Sequence, residues 1–130
     1  MTWDTNDLDD NEAITQDGTF AYLFTASGTI YAGQAVRMIA DNTVVATSAG
    51  DNGIGVATMK TSHGSKMGVF GPGNIVYAIL DGTHSAGTAL YASDDGILTN
   101  TQNSSERIMA YVVEAGTAAT TNYKSKVLLV

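Results

Sequence analysis

The sequence predicts an all-β fold: a small β-barrel or β-sandwich of about ten short strands, preceded by an extended N-terminal arm. Of the 130 residues, 17 are Thr, 10 are Val and 8 are Ile, and such β-branched side chains pack well on a pleated sheet. The 14 glycines break the chain into short segments, as turns require. Frequent turns between short apolar runs are typical of barrels and sandwiches.

The strands follow from apolar runs between turn signals. They are predicted at Thr19–Thr25, Ala35–Ala40, Thr43–Thr47, Ile54–Met59, Lys66–Phe70, Ile75–Leu80, Ala89–Ala92, Ile97–Asn100, Ile108–Glu114 and Tyr123–Val130. Asp41-Asn42 and Asp94-Asp95-Gly96 predict two tight hairpin turns. The unbroken apolar run Ile75–Leu80 predicts a strand buried on both faces. The apolar C-terminal run is expected to pair within the sheet, which would close the barrel.

An internal duplication is suggested by two stretches that lie 54 residues apart. Between positions 32–49 and 86–103, five of eighteen residues are identical: Ala32/Ala86, Gly33/Gly87, Ala35/Ala89, Asp41/Asp95 and Thr47/Thr101. Both stretches combine an Ala-Gly start, a strand and an Asp-containing turn. We interpret the repeat as two similar corners of one barrel.

The N-terminal residues differ in composition from the rest of the chain. A length of 130 residues fits one domain, so residues 19–130 are expected to form a single β-barrel-like domain and residues 1–18 an acidic arm. The arm contains six acidic residues and no Lys or Arg, which favours disorder in isolation. Trp3, Leu8 and Ile14 are the candidate anchors of this arm on a partner, because Trp is frequent among the residues that dominate binding energy. A terminus that binds nothing is the alternative.

The charge balance limits the partners. The net charge is −7 and the isoelectric point is about 4.4, so nucleic acid and anionic membranes would be repelled. There is no cysteine, which excludes disulfides and thiolate metal sites. No apolar stretch approaches the roughly 20 residues of a membrane span, and we expect no signal peptide.

No motif predicts catalysis or a cofactor. The sequence from Asp7 does not match a calcium-binding loop, because Glu12 stands where the loop requires glycine and Gly18 stands where it requires a bidentate glutamate. His63 and His84 lie in polar loops without partners at metal-binding spacing, so they are expected to be exposed turn histidines. We therefore expect no metal, no cofactor and no enzymatic activity.

Three further groups have structural interpretations. Gly50, Gly53 and Gly55 precede a strand rather than a helix, which favours turn glycines over a phosphate loop. Asp94 and Asp95 are explained by their turn. The third group consists of Tyr22, Tyr77 and Tyr91. These tyrosines could form a sugar-binding platform, although positions in the core or at a subunit interface are favoured.

The order of these elements resembles that of a known family. The series comprises Ala-Gly-x-Ala-Val at 32–36, Gly-Asp-Asn-Gly-Ile-Gly-Val-Ala at 50–57, Gly-Pro-Gly at 71–73, Arg-Ile-Met-Ala-Tyr-Val-Val-Glu-Ala-Gly at 107–116 and a final Lys-Val-Leu-Leu-Val. Over roughly residues 30–130 it resembles the capsid cement (head decoration) proteins of tailed phages and related viruses. The acidic residues 1–18 depart from the pattern expected of this family.

The resemblance implies a virion protein on the outer surface of an icosahedral capsid. It implies a homotrimer that binds the major capsid protein and stabilises contacts between its subunits. The alternative function is a β-rich tail-fibre or spike module that binds a host glycan. Either function would depend on the shape and surface of the β-domain rather than on an active site.

Overall fold

The structure is a computed structural model that describes residues 22–117 and 123–130. Their strands are β1 (Tyr22–Ala26), β2 (Ala35–Ala40), β3 (Thr43–Ala46), β4 (Gly55–Ala57), β5 (Lys66–Phe70), β6 (Ile75–Leu80), β7 (Ala89–Ala92), β8 (Leu98–Thr99), β9 (Ala110–Thr117) and β10 (Tyr123–Leu129). A short 3₁₀ turn at Asp94–Gly96 precedes β8. The all-β prediction is confirmed, and four strands, β2, β5, β6 and β7, have the predicted bounds.

The strands form two closed five-stranded barrels. Barrel 1 has the order β1-β3-β2-β4-β5, and barrel 2 has the order β10-β6-β8-β7-β9. In both, the first strand of the barrel pairs in parallel with the third, while the other neighbours are antiparallel. Each strand of barrel 1 thus has a counterpart five strands later with the same neighbours.

The duplication therefore describes two barrels, and its interpretation as two corners of one barrel is wrong. The backbone hydrogen bonds repeat with the strands. The Gly33 N–H donates to the Ala57 carbonyl as the Gly87 N–H does to the Val112 carbonyl. The Ile54 N–H donates to the Val36 carbonyl as the Met109 N–H does to the Leu90 carbonyl. The Ser27 N–H donates to the Val44 carbonyl as the Asp81 N–H does to the Leu98 carbonyl. Sequence identity alone could not separate the two interpretations, because both place similar strands and turns 54 residues apart.

The buried apolar residues form two hydrophobic clusters, and one of them contains residues of both barrels. The inward side chains of barrel 1, such as Val36 and Val69, form one cluster. The outward side chains of the same strands, Ala35, Val56 and Phe70, belong instead to the cluster that fills barrel 2. These three residues pair across β2, β4 and β5, so they form one apolar row on the outside of barrel 1, against which barrel 2 packs.

Strand β6 corrects one expectation from the sequence. Its side chains alternate between buried and half-buried from Ile75 to Leu80, so it is not buried equally on both faces. The outward residues are apolar because one flank of the strand lies against barrel 1, where the Ile79 N–H donates to the Gly33 carbonyl at 3.0 Å.

Two of the three glycines predicted to serve turns have a packing role instead. Gly50 has a φ of +86° and fits its turn. A Cβ on Gly53 would lie 2.6 Å from the Met109 sulfur, and one on Gly55 would collide with the Phe70 carbonyl oxygen. Gly53 and Gly55 therefore allow close contact between segments.

Candidate interaction surface

Within residues 22–117 and 123–130, no group of three or more acidic or histidine side chains could hold a metal ion. His63 is exposed as predicted, and its Nδ1 accepts the Gly28 N–H at 2.8 Å. His84 is not exposed: its side chain is 15% accessible, and its Nε2 lies 2.8 Å from Asp81 Oδ1. The other Asp81 oxygen accepts the Thr99 hydroxyl, so both oxygens of this carboxylate have structural partners.

The Asp94-Asp95 pair belongs to the contact between the barrels. Asp95 has a φ of +58°, as its tight turn requires, and Asp94 Oδ1 accepts the Ala49 N–H at 2.9 Å. The side chain of Gln34 donates to the Asp95 carbonyl at 2.7 Å. A turn of barrel 2 is thereby fixed on loops of barrel 1.

The three tyrosines are divided between the barrels, with Tyr22 on barrel 1 and Tyr77 and Tyr91 on barrel 2. Tyr22 is largely exposed, while Tyr77 is half-buried and packs against the shared core. Burial raises the pKa of the Tyr77 hydroxyl, and the nearby Glu114 carboxylate raises it further. This placement fits a packing role for Tyr77.

A loop after β8 provides a second connection between the barrels. The Arg107 N–H donates to Asn52 Oδ1 at 2.9 Å, and its guanidinium donates to the Gly53 carbonyl at 3.0 Å. The same guanidinium lies 3.5 Å from the Val130 carbonyl at the end of barrel 2. Arg107 therefore joins segments of both barrels.

Glu106 organises this loop from a buried position. Only 2% of the residue is exposed, and its carboxylate accepts the N–H groups of Asn103 and Ser104. Burial raises the pKa of the Glu106 carboxyl, but the backbone N–H donors of Ser104, Asn103, Glu106 and Gly50 outweigh burial and hold the pKa below its ordinary value. The charged carboxylate is thus the form that fits the fold.

One end of barrel 1 exposes apolar side chains. Leu23 is 71% exposed, Ile39 44% and Met38 40%. All three lie towards the β2–β3 hairpin, because the Thr25 N–H of β1 donates to the carbonyl of the turn residue Asn42. We name this surface, formed by Leu23, Met38 and Ile39, the barrel-1 end. Grouped exposed apolar residues are typical of interaction sites.

Barrel 2 carries a second apolar surface on its side. Ala89, Tyr111, Leu128 and Ile75 pair in register across β7, β9, β10 and β6. Their side chains face outward, and all four are half-buried. We name these four residues the barrel-2 row. It is the repeat equivalent of the row on barrel 1 that barrel 2 covers.

The predicted anchors Trp3, Leu8 and Ile14 lie outside the described residues, as does the rejected calcium loop. The barrel-1 end was missed at the sequence level. Its signal was the presence of Met38 and Ile39 just before an Asp-Asn turn, where a solvent-facing hairpin usually has polar residues. Leu23 lies five residues after the end of the predicted arm at residue 18, so the arm and this surface are close in sequence.

The fold defines a class of proteins built from two tandem closed β-barrels. A comparison with solved structures places the N-terminal base of the head fiber protein gp8.5 of bacteriophage phi29 in the same fold class. The match has a TM-score of 0.62 and 16% identity, and it covers 83% of this chain and 92% of that chain. No protein-family model matches the sequence, and a search of curated proteins finds no match.

The described part of the chain has no helix that is long and apolar enough to cross a membrane.

Proposed function

We propose that this protein is a structural protein of a phage virion, which decorates and cements the outer surface of the head. The observation that carries the proposal is the tandem-barrel fold, shared over 83% of the chain with the base of a phage head fiber. The ordered motifs at residues 30–130, which resemble head decoration proteins, support the same assignment.

The proposed partner is the major capsid protein, and the proposed assembly is a homotrimer. A cement protein must bind assembled subunits better than free ones, because only then does it stabilise the shell by mass action. The connections made by Arg107, Thr47 and Asp94 give a rigid two-barrel body, so little conformational entropy is lost on binding. The anchors Trp3, Leu8 and Ile14 are proposed to contact the shell.

The test uses purified protein and undecorated mature heads of the phage that encodes it. We expect the protein to sediment with the heads and to raise the temperature at which they release DNA. Binding without a gain in heat resistance would support a fiber base and contradict the cementing role. Absence of binding would contradict the proposed function altogether.

The arm gives a narrower prediction. Deletion of residues 1–18 should leave the barrels folded but weaken binding to heads, and Trp3→Ala should reproduce part of the loss. Circular dichroism checks folding, and quantitative sedimentation with heads measures affinity. Undiminished decoration by the truncated protein would remove the arm from the proposed binding surface.

A further inference from the structure

The contact between the barrels is made from two different surfaces. Barrel 1 contributes the outer row Ala35, Val56 and Phe70. Barrel 2 contributes the end that carries its 94–96 turn, from which Gly96 N–H donates to the Thr47 carbonyl. Apart from the loop connection made by Arg107, the contact is therefore heterologous, because one barrel uses its side and the other uses its end.

Because the two barrels are repeats, each also possesses the surface that the other one uses. Barrel 1 has an end, and barrel 2 has a side row. In the described structure neither barrel covers these two surfaces: Met38 and Ile39 of the barrel-1 end are exposed, and the residues of the barrel-2 row are half-buried. The chain thus presents an end and a side that correspond to the two halves of its own interface.

Equivalent residues of the two barrels differ in solvent accessibility, because one copy of each surface lies in the internal contact and the other does not. At the end surfaces, Met38 and Ile39 are exposed, while their counterparts Ala92 and Ser93 are buried and half-buried. At the side surfaces, Thr47 and Ala35 are buried. Their counterparts Thr101 and Ala89 are exposed and half-buried.

Four of the five identities between the repeats lie on the side surface. Ala32, Gly33, Ala35 and Thr47 are covered in barrel 1, and barrel 2 keeps the same residue types as Ala86, Gly87, Ala89 and Thr101. The fifth identity, Asp41/Asp95, lies in the turn of the end surface. The residues shared by the repeats are therefore concentrated on the two surfaces that meet inside the chain.

We propose that copies of this chain associate head to tail, with the barrel-1 end of one copy packed on the barrel-2 row of the next. The occupant of each surface is a second copy, and the template is the interface already present inside the chain. A heterologous contact of this kind closes into a ring when its rotation permits. Closure after three copies would produce the trimer proposed above, but the contact itself does not depend on the proposed function.

The external contact cannot copy the internal distances. A Cβ on Gly96 would lie 2.8 Å from the Ala35 carbonyl oxygen and 2.8 Å from Gln34 Cβ, and the equivalent residue on barrel 1 is Asn42, which carries a Cβ. The approaching copies must therefore stand further apart. Met38 and Ile39, which are larger than Ala92 and Ser93, supply the volume that fills this space.

The test is sedimentation velocity of the full chain over a concentration series. Ile39→Lys should disrupt the barrel-1 end, and Tyr111→Lys should disrupt the barrel-2 row. Each change should weaken self-association by roughly tenfold or more, the effect expected for a buried interface anchor. Met59→Lys is the matched control, because Met59 is a similarly exposed apolar residue, at 39%, outside both surfaces.

Mixing the two variants distinguishes the proposed geometry from others. Ile39→Lys keeps an intact barrel-2 row and Tyr111→Lys keeps an intact barrel-1 end, so their mixture should form a one-to-one dimer and nothing larger. Ala89→Lys provides a second row variant if Tyr111→Lys fails to fold.

Three results would overturn the inference. A wild-type protein that remains monomeric throughout the series would show that copies of the chain do not associate through these two surfaces. Unchanged association of both variants would exclude the two surfaces. Dimers formed by Tyr111→Lys alone would indicate a symmetric contact between barrel-1 ends. Head binding by a monomer would leave the proposed function standing while this inference fails.

Discussion

Thr47 and Thr101 occupy the same position in the two repeats but have different surroundings. Thr47 is 1% exposed, and its hydroxyl donates to the Ser93 carbonyl of barrel 2 at 2.8 Å. Thr101 is exposed, and its hydroxyl makes only a 3.4 Å contact with the neighbouring Asn100 side chain. The duplication therefore supplies a natural control for the role of one buried hydrogen bond.

We predict that Thr47→Val lowers the free energy of unfolding by about 1–3 kcal/mol, because the Ser93 carbonyl loses a buried donor. Thr101→Val should change it by less than about 0.5 kcal/mol, as is usual for surface positions. Urea denaturation of both variants measures the difference. Equal effects would show that the Thr47 hydroxyl does not stabilise the contact between barrels.

At the residue scale, Glu106 is expected to make the stability of the fold depend on pH. Its pKa is lowered in the folded protein, so its contribution to stability is present above the unfolded pKa of about 4.3 and is lost as the pH falls through the folded pKa. Glu106→Gln should lower the midpoint of urea unfolding at pH 7. The difference from wild type should shrink as the pH falls below about 4.

The comparison is made by urea titrations over a pH series. Glu114→Gln is the control, because Glu114 is exposed and pairs only at 3.6 Å with Lys126. A constant difference between wild type and Glu106→Gln at every pH would contradict a role for the charged carboxylate.

At the scale of elements, the glycine of β4 allows close packing between β4 and β5 of barrel 1. A Cβ on Gly55 would collide with the backbone carbonyl of Phe70, and a backbone atom cannot move aside as a flexible side chain can. We predict that Gly55→Ala lowers the free energy of unfolding by about 1–3 kcal/mol, as is typical of overpacking.

Gly82→Ala is the matched control for this substitution, because no atom lies within 4 Å of a Cβ at that position. It should be close to neutral in the same thermal or urea unfolding experiment. If both variants unfold like wild type, β4 and β5 are not held as closely as the structure describes.

Most strands could be predicted, because alternation and turn residues are local signals. β2 and β3 follow from apolar runs on either side of Asp41-Asn42, and Asn42 has the positive φ of 52° that such a turn requires. The closure into two barrels could not be predicted. It depends on which strand pairs with which, and the chain offers the same pattern for one barrel or two.

The interaction surfaces were only partly predictable for a similar reason. Trp3, Leu8 and Ile14 stand out by composition, but the sequence does not show what they contact. The barrel-1 end became visible only when Met38 and Ile39 proved to be exposed where Ala92 and Ser93 are covered. Exposure depends on neighbours distant in the chain, whereas alternation depends on local sequence alone.

For the whole molecule, the important property is that two similar barrels act as one body. The shared core and the bonds of Arg107 and Thr47 resist separation of the barrels. A rigid body with apolar surfaces at one end and one side can make several contacts at once. These features suit a protein that bridges subunits on a shell. A few residues are expected to supply most of the binding energy of each contact.

The most direct test of the proposed function is electron cryo-microscopy of undecorated mature heads incubated with the full chain. We predict paired barrel-shaped density on the outer surface, bridging neighbouring major capsid subunits, with adjacent copies meeting through the barrel-1 end and the barrel-2 row. Heads that remain bare at saturating protein concentration would contradict the account.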